Sequence, residues 1–147
     1  FPAKVDLVKA TVAQHRHAMR QGLQSLQQSI PDPYARLVAY SRYWADCIQA
    51  SSPPLCICAL LAAELPAIPA EIAEEGTGHF NDLQTWLAQT MTEGATTGVM
   101  RLSETPAGEA AMFMASIHGA MLSARATGNA LLFWQIAKLA TDRLKPT

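Results

Sequence analysis

From Val5 to Ile30, the positions Val5, Val8, Val12, His15, Met19, Leu23, Leu26 and Ile30 step by three or four. That spacing lines one face of an α-helix and leaves Lys9, Arg16, His17 and Arg20 off it. The stripe predicts a long first helix, closed at Ile30-Pro31-Asp32-Pro33, where two prolines forbid continuation and Asp32 is a good cap for the next element. No later segment alternates with the period of a strand, so nothing in the chain reads as a sheet.

The same reading carries on through the chain. PYARLVAYSRYWADCIQ places Tyr34, Leu37, Val38, Ser41, Ala45 and Ile48 on one helical face, with Tyr40, Trp44 and Cys47 beside it. SSPP stops this helix, and a short third helix, Leu55 to Leu65, is apolar nearly all round, as in the middle of a bundle. After the PAIP linker, Pro69 sits at a first helical position, and Glu71, Glu74 and Glu75 follow where the helix dipole favours negative charge. The stripe Ile72, His79, Leu83, Trp86, Thr90 keeps register across Gly76-Thr77-Gly78, which predicts a weakened or kinked helix there and not a loop. GATTG at 94–98 breaks the pattern and VMRL reads as briefly extended. Thr105-Pro106 starts a helix to Thr127, and Gly128 separates it from a last helix over Asn129–Leu144. The expectation is an all-α bundle of about six helices in one domain.

Half of the 147 residues are hydrophobic, enough for a core without disulfide or metal support. A formal net charge of −1 leaves no basic surface of the kind that grips a phosphate backbone. Cys47, Cys56 and Cys58 match neither a disulfide framework nor paired zinc knuckles, and suit a reducing cytoplasm. The longest apolar run, LCICALLAA, is about half of the roughly 20 residues a membrane helix needs, so no membrane attachment is expected.

The last two helices carry more apolar surface than one subunit can cover. Ala111, Ala115, Gly119, Leu122 and Ala126 form a row of mostly small residues, while Phe113, Ile117 and Met121 point the opposite way. Phe133, Trp134, Ala137 and Ala140 extend the excess into the final helix. Two helices with a second apolar face predict a homodimer built on a four-helix interface, with Ala111, Ala115, Gly119, Leu122, Phe133, Trp134, Ala137 and Ala140 in contact.

This order of elements, with FPAKVDL at the front and LCICALLAAEL in the short helix, resembles the TetR family of bacterial transcriptional regulators across nearly the whole chain. Phe1, Lys4 and Leu7 match the family's aromatic-x-[SN]-K-x-x-L stretch, and Ala3 departs from its capping Ser or Asn. Cys56 and Glu64 match a G-C-x7-E pattern of one branch, with Leu55 in place of the glycine. The resemblance implies a TetR-like C-terminal regulatory domain over 1–147 that binds an effector and dimerises. It further implies that 1–30 is the connecting helix from a missing helix-turn-helix head, through which alone operator DNA would be read. The implied activity is that of a ligand-responsive repressor with no cofactor.

Candidate effector contacts are the inward-facing His15, Met19, Tyr40, Trp44, Leu61, Trp86, Met114, His118 and Met121, a lining suited to a small, largely apolar or aromatic molecule. Cys56 is a redox candidate, placed in the first turn of a proline-started helix. Cys58, two residues on, is expected to point to the other side, so the two thiols are not expected to meet. His15 and His17 fall on different faces, no glutamate stands three before a histidine, and Glu75-His79 is one isolated pair; no metal site and no catalytic residue is expected. Two alternatives stay open: an electrophile or redox sensor acting through Cys56, and a helical adaptor that docks another protein on its spare apolar face.

Overall fold

A computed structural model describes residues 2–50 and 56–147 as six α-helices and one 3-10 helix, with no strand among the described residues. The helices are α1 (Pro2–Ser29), α2 (Pro33–Ala50), α3 (Ile57–Leu61), α4 (Ala70–Thr96), α5 (Pro106–Thr127) and α6 (Ala130–Asp142); the 3-10 helix, Ala62–Ala67, follows α3. Phe1, the SSPP stop and Leu55 lie outside the described residues. No helix is long and apolar enough to cross a membrane among the described residues.

The caps explain the breaks. Asp32 Oδ1 accepts the Ala35 N–H at 2.7 Å and opens α2. The buried Arg36 then turns back, donating to the carbonyls of Ile30 (2.6 Å) and Pro31 (3.0 Å) and to Glu93 (2.5 Å). It thereby satisfies acceptors that the end of α1 leaves without a helical partner. Thr105 accepts from Gly108 N–H at 3.1 Å ahead of Pro106, and Gly128 ends α5 at φ 63°, the left-handed conformation that costs glycine least.

The third helix is shorter than expected: α3 covers only Ile57–Leu61, and the chain tightens into the 3-10 turn through Pro66, which cannot donate to a helical ladder. Pro69 is the N-cap of α4 and not its first helical residue. α4 runs unbroken through Gly76-Thr77-Gly78, and the glycines have a steric reason. A Cβ on Gly78 would lie 2.4 Å from the guanidinium of Arg16, which crosses here to Asp82 (2.7 Å) and Glu75 (3.2 Å). VMRL is not part of a sheet; its Arg101 N–H donates to the Leu144 carbonyl at 2.8 Å and ties the α4–α5 connection to the C-terminal end.

Helix α4 is the centre of the packing, with α1 along one side and α5 along another, while α6 packs on α5 and α2. The core joins Leu37 and Tyr40 of α2, Leu83, Leu87 and Met91 of α4, Phe113, Ile117 and Met121 of α5, and Phe133 and Ala137 of α6.

That core revises the expected dimer face. Phe133, Ala137 and Ala140 point into their own subunit and cannot meet a second copy; the inward side of α6 is set by α2 and α5, which periodicity alone does not reveal. Trp134 is half-buried, with the Arg42 guanidinium 4.7 Å above its ring. The α5 row stands differently: Ala111, Ala115, Gly119 and Ala126 are exposed, together with Met112 and Leu122 (45% each). On α6 the exposed apolar side chains are Leu131 (65%) and Leu139 (70%).

Candidate functional site

Helix α1 meets α4 along much of its length and α2 only sparsely. Between α1 and α2 lies a cleft of about 440 Å³, with His15, Met19, Gly22 and Leu26 on one wall and Tyr40 and Trp44 on the other. Four of the nine expected effector contacts, His15, Met19, Tyr40 and Trp44, therefore come together. The sparse contact follows from the α1 sequence, where Ala18, Gly22 and Ser25 supply little bulk toward α2.

The cleft wall is aromatic with polar groups sealed behind it. Tyr40 packs on Trp86 with ring centroids 6.0 Å apart, and Tyr43 meets Trp44 edge-on at 5.3 Å. Tyr40 Oη, Trp44 Nε1 and Trp86 Nε1 are buried without a hydrogen-bond partner among the described residues. Burial pushes the Tyr40 phenol well above its ordinary range, the nearby Cys56 adds to this, and the Trp44 indole opposes it. The hydroxyl stays protonated and remains a donor.

The other expected contacts sit elsewhere. Leu61 is half-buried against the core, and Trp86 lines a separate open groove with Arg20 and Asp82. Met121 is sealed in the core and Met114 is half-buried beside it, because α5 packs against α4 and α6 and not against α1. His118 stacks edge-on against Phe80 at 5.3 Å.

Next to the cleft the chain gathers a second group of residues that the sequence reading kept apart. Cys56 is not in a helical turn: at φ −65° and ψ 120° it is extended, and α3 starts one residue later. Cys56 and Cys58 thus stand on different backbone conformations, and both thiols reach the same point. His15 from α1 and His79 from α4 converge there too, and one ligand atom from each of the four lies within 4.8 Å of the others. His15 Nε2 and His79 Nε2 are each 3.4 Å from Cys56 Sγ. Cys56, Cys58 and His79 are buried, and His15 is half-buried.

The electrostatics of this cluster are lopsided. A hydrogen bond from the Cys58 thiol, helped by His118, His15 and His79, holds Cys56 far below the ordinary thiol range against the opposing effect of burial. Cys58 is pushed up in turn, by the same bond, by burial and by the charge on Cys56. Its thiol and imidazole neighbours, and not a helix dipole, set that direction, since α3 is only a five-residue helix. With 0% exposure, Cys56 is also closed to a reagent arriving from solvent.

No protein-family profile matches the chain, and no curated relative matches it. Solved structures do. A transcriptional regulator of the TetR family from Agrobacterium tumefaciens is 40% identical, with a TM-score of 0.96 over 99% of this chain and 77% of that one. The reduced form of E. coli NemR aligns at TM-score 0.85 and 19% identity over 100% of this chain and 77% of its own. A regulatory protein TetR from Rhodobacter sphaeroides gives 0.85 and 19% over 96% and 76%. The last two show the fold alone. The Agrobacterium protein shows more, and the chain belongs to the TetR family of transcriptional regulators. These alignments run over essentially all of the chain and lend no support to the expectation of a missing DNA-reading head.

Proposed function

We propose that this chain is the sensing and pairing body of a ligand-responsive TetR-type regulator, binding a small, largely apolar or aromatic effector in the α1–α2 cleft. The observation that carries this reading is the cleft itself: about 440 Å³ of space walled by Met19, Leu26, Tyr40 and Trp44, in the size range of small-molecule sites. In this reading two copies pair through the exposed row of α5 and the Leu131 and Leu139 side of α6.

The coupling is a population shift. An effector changes DNA affinity only to the extent that it prefers one arrangement of α1 over another, and α1 forms one whole wall of the cleft. The adaptor reading gives no reason for a cleft walled on one side by aromatic rings.

A thermal-shift and calorimetry screen of flat aromatic carboxylates, amides and quinones tests this. The expected result is binding of one molecule per subunit that raises Tm and is lost in Trp44→Ala. Binding that ignores Trp44→Ala, or none across such a panel, would contradict the proposal.

A further inference from the structure

We propose that Cys56, Cys58, His15 and His79 form a Cys2His2 site for a zinc-like divalent cation, placed between α1, α3 and α4. The inference does not rest on the effector reading. In a tetrahedral zinc site with Zn–S near 2.3 Å and Zn–N near 2.0–2.1 Å, the ligand atoms stand roughly 3.5 Å apart for S and N, 3.8 Å for two sulfurs and 3.3 Å for two nitrogens. Both histidine nitrogens already lie 3.4 Å from Cys56 Sγ. All four atoms lie within 4.8 Å of one another, so no pair must close by more than about 1.5 Å to complete the tetrahedron.

The chemistry of the set selects the ion. Two thiolates and two neutral imidazoles are soft and borderline donors that favour zinc over magnesium or calcium. Charge balance in a buried place narrows it further. Two thiolates with a divalent ion are neutral, whereas a monovalent ion leaves an uncompensated negative charge in the interior, and burying such a charge is costly. The nearest ionised groups balance among themselves, Arg16 and Arg20 against Asp82 and Glu75. Loading proceeds without redox change: M2+ enters, each cysteine that still carries an S–H proton gives it up to solvent, and two M–S and two M–N bonds form.

The site has a structural consequence. His15 belongs both to this set and to the cleft wall, so an ion would fix its ring while tying the short α3 to the two long helices. His79 Nδ1, buried and without a partner among the described residues, is the ring nitrogen left over when Nε2 binds the ion.

The test uses the full chain, reduced and stripped by a chelator, and titrated with Co2+ and then Zn2+. The expected result is one Co2+ per chain with the intense visible bands of a tetrahedral thiolate complex, displaced by one Zn2+. Cys56→Ser and Cys58→Ser should each weaken Zn2+ binding by at least the roughly 100-fold seen for loss of an outer-sphere partner. Cys47→Ser, outside the cluster, should bind as wild type. Far-UV circular dichroism separates lost ligation from lost folding. If a cysteine variant unfolds, the wild-type Co2+ spectrum still decides by its thiolate count. An octahedral Co2+ spectrum, binding retained in Cys56→Ser, or uptake of Cu+ with no uptake of Co2+ or Zn2+ would overturn the assignment.

Discussion

Substitution at Gly22 separates the cleft from the fold. This residue lies in the interior of the 28-residue α1, it faces the cleft, and a Cβ built on it meets nothing within 4 Å. A glycine in a helix interior costs about 1 kcal/mol relative to alanine, so Gly22→Ala should stabilise the chain by about that amount. Gly22→Phe recovers roughly half of the propensity gain. If about 100 Å² of its ring is buried against Tyr40 and Trp44, it adds about 2.5 kcal/mol at 25 cal/mol per Å². With a Tm response of roughly 2–4 °C per kcal/mol for a chain of this size, both variants should melt above wild type. The same ring occupies the space offered to a ligand. Binding of an anilinonaphthalene sulfonate dye, followed by its fluorescence, should therefore survive Gly22→Ala and fail in Gly22→Phe. A Gly22→Phe chain that melts lower, or that binds the dye as wild type does, would refute the claim that this space is open and is the binding site.

Further expectations follow from other contacts. Glu109 is fully buried, accepts N–H groups of Ser103 (2.9 Å) and Glu104 (3.1 Å), and pairs with Arg143 (2.5 Å). Burial pushes its carboxyl up, but the Arg143 bond and the two backbone donors outweigh this and hold it below the ordinary 4.5. Its contribution is thus complete above that value and is lost as pH falls through the depressed one; urea melts against pH should show this slope in wild type and lose it in Glu109→Gln, which costs about 1.5–3 kcal/mol at neutral pH. Leu122→Glu with Leu139→Glu should give a folded monomer by sedimentation equilibrium, and an unchanged dimer would move the interface elsewhere. Phe133→Ala should cost about 3–5 kcal/mol of subunit stability by urea denaturation, as a core truncation does; a cost under 1 kcal/mol would return Phe133 to the surface.

The helices were legible because their signals are local. The α1 stripe rests on side chains three or four residues apart, and Asp32 at the start of α2, Thr105-Pro106 and Gly128 act through backbone groups a few residues away; the caps stand where the pattern put them, while Val8 of the stripe is exposed. On α6 the same reasoning could not choose a side, because Leu131, Phe133, Ala137 and Leu139 make it apolar all round, and its inward direction is fixed by α2 and α5. His15, Met19, Tyr40 and Trp44 share one cleft because α1 and α2 are neighbours in sequence. Met114 and Met121 lie away from it, because only the tertiary arrangement sets α5 beyond α4. The Cys56-Cys58 pair was hidden by one backbone torsion: a helical Cys56 sends the thiols apart, and the extended ψ of 120° brings them together. His15 and His79 each sat on an apolar stripe, and their common destination with two cysteines was the signal available to find them.

If the cleft is the effector site, a small molecule lodges between α1 and α2. Native mass spectrometry of wild-type and Gly22→Phe chains, mixed with one library of aromatic and amphipathic compounds, tests it most directly. Both chains should appear as dimers, with adducts of at most one molecule per subunit on wild type and none on Gly22→Phe. Equal adducts on both, or none on either, would contradict it.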